Sequence, residues 1–209
     1  QFHNGYCNIE ITKGAVNHGE CRWKAVKTSA VIPAVGIPTR MLGMKPLLCF
    51  ENSTIIRHSI RSLKSVGIQD IIVVTGYQSA VLERHLKSEG VMFIKNERCA
   101  ETDMLSSVNL GLRALPDQKR QVFVMPADTP LVSTEVLQRI MDQEGEIVCP
   151  EYQEKLGHPI LLREAGIEKI LQWNGPGGIR GSCCNVIVIF ISTFWKKLKF
   201  YSINVLRII

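Results

Sequence analysis

Short apolar runs alternate with amphipathic stretches through the middle of this chain. "TSAVIPA" (28–34) and "DIIVVTG" (70–76) are rich in β-branched residues and closed by Pro or Gly, the pattern of strands buried on both faces. "VMFI" (91–94), "QVFVMPAD" (121–128) and "EIVCP" (146–150) continue the series. The intervening stretches have helical spacing. In "NSTIIRHSIRSLKSVG", Ser53 is expected to cap, and Ile56, Ile60 and Leu63 fall on one face, with Arg57, Arg61 and Lys64 on an adjacent solvated stripe. "QSAVLERHLKSEG" pairs Glu83 with Lys87 and ends at Gly90. "ETDMLSSVNLGLRALP" offers Asp103 as a cap, gathers Met104, Val108 and Leu112, and stops before Pro116. "STEVLQRIMDQEG" opens with Ser133 and closes at Gly145.

This alternation predicts an α/β fold: a Rossmann-like, three-layer α/β/α arrangement around a mostly parallel sheet. Ligands of such folds sit at the C-terminal edge of the strands. The loops after 28–34, 70–76 and 121–126 therefore become the places to search for chemistry.

The two ends depart from the pattern. Residues 1–26 show no sustained periodicity and stand as an unassigned N-terminal appendage, followed by the main domain at 27–181. Residues 182–209 contain no Asp, Glu, Gly or Pro and form an atypical C-terminal segment.

Charge changes the picture less than its total suggests. Of the net +6, residues 182–209 carry +4 and residues 1–26 carry +1, which leaves +1 for 27–181. A nucleic-acid-binding surface is not indicated for the main domain. No apolar run approaches the roughly 20 residues of a membrane helix; "VIVIFI" (186–191) is far too short. Seven cysteines are scattered without a C-x-x-C pair, which favours a reducing, cytoplasmic setting. Cys49 and Cys149 lie in apolar runs and are expected to behave as small hydrophobes.

Candidate chemistry gathers in four stretches. After the first strand, Gly36 lets the backbone approach a ligand, and Arg40 and Lys45 can neutralise phosphate oxygens; an ordinary surface turn is the alternative. After "VFVM", Asp128 is placed to hold a metal, or merely to compensate the dipole of the helix near Ser133. Ser106 and Ser107 lie in the first helical turns after a polar loop, as ligand contacts or local caps. His158 in "GHPILL" is a lone histidine with no adjacent nucleophile or acid.

Together these stretches resemble the MobA-like nucleotidyltransferase family, that of the molybdenum cofactor cytidylyltransferases and related guanylyltransferases. "PAVGIPTRMLGMK" is similar to the family's L-A-A-G-x-x-x-R-M-G-x-x-K, matching at Ala34, Gly36, Arg40, Met41 and Lys45. "ETDMLSSVNLGL" is similar to G-M-S-S-S-x-x-x-G-L, "PADTPLV" to P-A-D-Q-P-L-V, "GHPILL" to G-H/N-P-V-L-F, and "GPGGIRG" to G-D-x-G-x-R. The match covers 28–181, with five motifs in order.

The resemblance implies a nucleotide-diphospho-sugar-transferase type of fold and a cytoplasmic enzyme that transfers NMP from a nucleoside triphosphate, CTP favoured, to a phosphorylated acceptor such as molybdopterin. It implies that Ala34, Val35, Gly36, Arg40 and Lys45 hold the triphosphate, that Asp128 binds a catalytic Mg²⁺, and that Thr75 and Gly76 face the base. Ser106 and Ser107 would complete the nucleotide-binding set where it meets an acceptor side lined by Gly157, His158 and Pro159. Arg40, Lys45 and Asp128 would carry the catalysis.

Several positions depart from the family pattern. Leu42 stands where the family has glycine, and Pro176 where it has an acid. The family's second metal-binding aspartate has no counterpart in 182–209, which contains no carboxylate side chain. A replaced or out-of-frame C-terminus would produce this coincidence of breaks in composition and resemblance. Two alternatives therefore accompany the main reading: a catalytically impaired nucleotide-binding protein, and a sugar-phosphate or isoprenoid-precursor nucleotidyltransferase.

Overall fold

The computed structural model describes residues 27–36, 44–115, 121–152, 155–182 and 187–190. The expectations for Arg40 and for residues 1–26 lie outside them. The chain runs β1 (Thr28–Ala34), β2 (Cys49–Phe50), β3 (Ser53–Thr54), α1 (Ile55–Ser65), β4 (Asp70–Thr75), α2 (Ser79–Leu86), β5 (Met92–Lys95), α3 (Met104–Ala114) and β6 (Gln121–Val124). It continues with α4 (Thr134–Met141), β7 (Ile147–Tyr152), β8 (Lys155–Leu156), β9 (Ile160–Leu162), α5 (Glu164–Gln172), α6 (Gly178–Ser182) and β10 (Ile187–Phe190).

The main sheet has the order β5-β4-β1-β6-β9-β7-β10, with β8 paired to β7. The strands β5, β4, β1 and β6 are mutually parallel. Strand β9 runs antiparallel between β6 and β7. Because the chain moves outward from β1 through β4 to β5 and then crosses to β6 on the other side, β1 and β6 flank a topological switch point.

Side-chain alternation divides the core into two layers. Ala30, Ile32, Ala34, Ile71, Val73 and Phe123 pack with Ile56, Ile60 and Leu63 of α1, Leu82 and Leu86 of α2, and Leu137 and Ile140 of α4. The opposite parity, Val31, Ile72, Val74, Val122 and Val124, packs with Val108 and Leu112 of α3 and Ile167 and Ile170 of α5. Each fully buried side chain of this size contributes about 1.5–3 kcal/mol of transfer free energy. The three-layer arrangement predicted from the sequence is therefore present.

Several local expectations are corrected. Ser53 does not cap α1: Ser53–Thr54 pairs antiparallel with Cys49–Phe50. Thr54 takes the cap position, with its hydroxyl bonded to His85 Nε2 at 2.8 Å rather than to the helix. The cationic stripe of α1 is only partly solvated. Arg57 donates to His85 O at 2.7 Å and pairs with Glu89 at 3.1 Å, Lys64 donates to Glu89 O, and Arg61 stays exposed. Helix α3 buries Leu105, Val108 and Leu112, whereas Met104 is 46% exposed. Cys149 is buried as expected, but Cys49 is exposed. Helix α4 is capped by Ser133 but stops at Met141, short of Gly145.

Residues 187–190 of the acid-free C-terminal segment extend the sheet beside β7, pairing parallel from Ile187↔Val148. Among the described residues, no helix is long and apolar enough to cross a membrane.

Candidate active site

Strand β1 delivers Val35 and Gly36 to the C-terminal edge of the sheet, the first half-buried and the second exposed. The chain returns at Met44, which is buried in the core and holds the following turn through Leu47 N→Met44 O at 2.9 Å. Lys45 opens that turn and is exposed, with Pro46 fixing the backbone behind it. Its ammonium is thus carried at the rim by a residue anchored inside.

Strand β6 pairs with β1 up to Val31↔Val124, and the pairing continues past the strand through Met125 N→Val31 O (3.1 Å) and Ala127 N→Pro33 O (3.3 Å). That register brings Asp128 level with Val35. A tight turn follows, in which Thr129 Oγ1 donates to Pro126 O at 2.6 Å. Buried Ser59 of α1 donates to Thr129 O at 3.2 Å and fixes the turn from beneath. Asp128 is half-buried, and its carboxylate has no protein partner among the described residues. It is not needed at the N-terminus of α4, where Ser133 accepts from Val136 N and Glu135 occupies the first turn.

On the other side of β1, Ala34 pairs with Thr75. Thr75 is buried, and its hydroxyl donates to Glu83 Oε1 at 3.1 Å. Gly76 is held at backbone contact: a Cβ there would lie 2.9 Å from Cys99 Cβ and Sγ and 3.2 Å from Val35 Cα. Only glycine fits between the ends of β1 and β5. The structure thus brings together Ala34, Val35, Gly36, Thr75, Gly76 and Asp128 at one sheet edge, with Lys45 at the rim.

Of the predicted acceptor-side residues, Gly157 and His158 line a separate cleft of about 360 Å³, together with Asp103, Met104, Gly177 and Gly178 among others, and Pro159 does not. Gly157 is fixed by its N–H on Pro150 O at 2.7 Å, and Pro159 is buried beside half-buried His158. Ser106 donates both N–H (2.9 Å) and Oγ (2.8 Å) to Asp103 Oδ1. Ser107 is fully buried, with its hydroxyl accepting from Asn96 Nδ2 at 3.0 Å. Sequence reasoning missed Asp103 as a wall of the cleft, having read it as a cap. It is both, because a carboxylate that caps with one oxygen still presents the other. Gly177 and Gly178, at φ 90° and 58°, were legible only as part of a glycine-rich motif.

The family resemblance implies a divalent metal, and the donor set on this edge decides whether it fits. Asp128 offers a hard oxygen donor, unpartnered among the described residues, beside the end of β1. No group of three or more His, Cys, Asp or Glu capable of holding an ion occurs among the described residues. A carboxylate such as that of Asp128 is the kind of donor that holds a divalent cation jointly with substrate phosphates.

Comparison with known proteins identifies the family and the fold. The model of the MobA-like NTP transferase domain matches residues 30–183. The bifunctional protein GlmU of Francisella tularensis subsp. novicida is 33% identical over 121 residues, which is 56% of this chain but only 26% of GlmU. Among solved structures, Rv0371c of Mycobacterium tuberculosis superposes with a TM-score of 0.68 at 20% identity, covering 80% of this chain and 88% of the other. A 4-diphosphocytidyl-2C-methyl-D-erythritol synthase from Anaerococcus prevotii gives a TM-score of 0.61 at 15% identity, covering 79% and 86%. At these identities the structural likenesses establish the fold.

Proposed function

The chain belongs to the MobA-like NTP transferase family, and from that membership we propose that it transfers CMP from CTP to a phosphorylated small-molecule acceptor of molybdopterin type, releasing pyrophosphate. We assign this activity to residues 27–181, in a cytoplasmic setting. The observation that carries the reading is the β1/β6 register, which sets a carboxylate, unpartnered among the described residues, level with the start of the glycine loop at the switch point.

In the proposed reaction an oxygen of the acceptor phosphate attacks the α-phosphorus of CTP. The bond from the α-phosphorus to its bridging oxygen breaks, and the electron pair leaves with pyrophosphate. The protein supplies no nucleophile; its residues bind, align and neutralise. The backbone of Ala34, Val35 and Gly36 cradles the triphosphate, with Arg40 and Lys45 supplying positive charge. Gly76, with Thr75 behind it, forms the wall toward the base. Asp128 would hold Mg²⁺, which, when bound, offsets the charge gathering on the phosphate oxygens. Ser106 and Ser107 set the start of α3 between nucleotide and acceptor, while Gly157 and His158 line the acceptor cleft with buried Pro159 behind them. A manganese complex of Rv0371c shows that a protein of this fold takes up a divalent ion, which supports the metal assignment.

The test is pyrophosphate release from CTP, GTP, ATP and UTP with molybdopterin and other phosphorylated acceptors, comparing the parent with Asp128→Ala and Lys45→Ala. We expect CTP to be preferred and both substitutions to abolish most release. Release that survives both would remove the assigned site. Two specific observations favour second readings. Likeness to the diphosphocytidyl-methylerythritol synthase supports a sugar-phosphate or isoprenoid-precursor acceptor, which the same acceptor panel distinguishes. The absence, among the described residues, of a cluster of three or more potential metal ligands favours a catalytically impaired, nucleotide-binding protein, and CTP binding without release would establish that alternative.

A further inference from the structure

Asn96 directly follows β5, is only 4% exposed, and has every side-chain hydrogen engaged. Its backbone N–H donates to Thr75 O at 2.8 Å, and its C=O accepts from Cys99 N at 3.3 Å. Its Oδ1 accepts from Arg98 N at 3.0 Å. Its Nδ2 donates to Thr102 Oγ1 and to Ser107 Oγ, both at 3.0 Å. The orientation of this amide is forced: a backbone N–H can only donate, so the atom facing Arg98 N is the oxygen. The two hydroxyls then take the two amide hydrogens.

These bonds run in two directions. Toward the nucleotide side, the Arg98 and Cys99 bonds curl the loop back so that Cys99 packs on Gly76, which in turn touches Val35. Toward the cleft, the Thr102 and Ser107 bonds fix the residue before Asp103 and the first turn of α3. We propose that Asn96 is a positioning residue that couples the two halves of the site, so that the base-side wall and the acceptor-side wall hold a fixed separation. Asn96 touches neither substrate. In this account Ser107 also acts through the helix, because its hydroxyl is spent on Asn96. The inference rests on the nucleotide reading of the 35–45 loop given above.

The test uses the full chain and two readouts: CTP affinity in Mg²⁺ buffer by calorimetry, and amide hydrogen exchange in peptides covering 30–36, 96–108 and, as a control, 134–141. For Asn96→Ala we expect CTP binding weakened and exchange in 30–36 and 96–108 accelerated, each on the order of tenfold, with 134–141 unchanged. Asn96→Asp keeps the Arg98 bond and deletes both donors. It is expected to accelerate 103–108 more than 30–36 and to weaken CTP less than Asn96→Ala does. Thr102→Val removes the Asn96 bond together with the hydroxyl's own donation to Arg98 O, and carries the same test if Asn96→Ala does not fold, with a smaller shift in the same peptides. Variants that bind CTP as the parent does, or that accelerate exchange equally in 134–141, overturn the coupling alone. A parent that binds no CTP overturns the nucleotide reading, and the coupling with it.

Discussion

The sheet from β5 to β6 and the sheet beyond β6 are fastened by different means. In the parallel half the glycine backbone is packed directly on side chains: a Cβ at Gly111 of α3 would lie 2.4 Å from Val31 Cγ1, and one at Gly76 would strike Cys99. In the mixed half the glycine contact is with backbone, a Cβ at Gly166 of α5 lying 2.2 Å from Glu146 O, and one guanidinium adds directional bonds. Arg163, beside β9, donates to Gly145 O and Gln143 O, and to Met141 O at 3.3 Å, tying down the end of α4. Burial pushes the pKa of that guanidinium below its ordinary value, with Glu144 opposing. Side-chain packing at Gly76 and Gly111 surrounds the proposed chemistry, while the flank combines backbone packing at Gly166 with the bonds of Arg163. Damage should therefore differ in kind between the halves.

The largest effect is expected at the switch point itself. Asp128→Asn should lower pyrophosphate release by roughly a thousandfold, about 4 kcal/mol of lost charge stabilisation, with the melting temperature nearly unchanged. A matching loss of stability would mean that Asp128 holds the turn rather than the reaction. Next is Gly111→Val, which forces α3 off β1 and should cost about 3 kcal/mol in urea unfolding. Gly36→Ala provides the contrast within the same half. A Cβ there meets nothing within 4 Å, so stability should stay within about 0.5 kcal/mol while CTP affinity falls. In the mixed half, Arg163→Leu should cost about 2 kcal/mol of stability and leave CTP affinity as in the parent. An Arg163 variant that loses nucleotide binding would show that the two halves are not separable.

The same division explains what could be read from the sequence. Strand β1 was legible to the residue, because "TSAVIPA" buries six of its seven side chains and Gly36 marks its exit. The placement of Gly36 and Asp128 at one sheet edge was legible because both follow strand signals directly. The β2–β3 hairpin was not, since two-residue strands carry too few side chains to set a period. Met104 misled because the first residue of a helix points past its end. Burial begins at Leu105, and Met104 borders the cleft instead. Arg57 and Lys64 were placed in solvent because their partners, His85 O and Glu89, come from a distant segment that no local pattern reveals. Asn96 was missed for a similar reason: nothing in "IKNERC" shows that one amide will meet Thr102 and Ser107.

The smallest effect returns to the parallel half, at a contact remote from the chemistry. His85 joins the start of α1 to α2 through Thr54 Oγ1. Its pKa is pushed below the ordinary histidine value by burial first and then by the Arg57 charge, with Glu89 opposing. The neutral ring is therefore favoured in the folded protein, and the unfolded chain binds more protons as the pH falls through about 6.5. Folding stability from this group should be complete above that pH, decline as the pH drops toward the folded value, and level off below it. Urea midpoints measured from pH 7.5 to 5.5 should show this decline in the parent and less of it in His85→Gln, whose amide can keep a bond to Thr54 without titrating. The Arg163→Leu variant should retain the parent's full pH dependence, because its defect lies in the other half. Equal slopes in the parent and His85→Gln would place the acid sensitivity among the carboxylates instead.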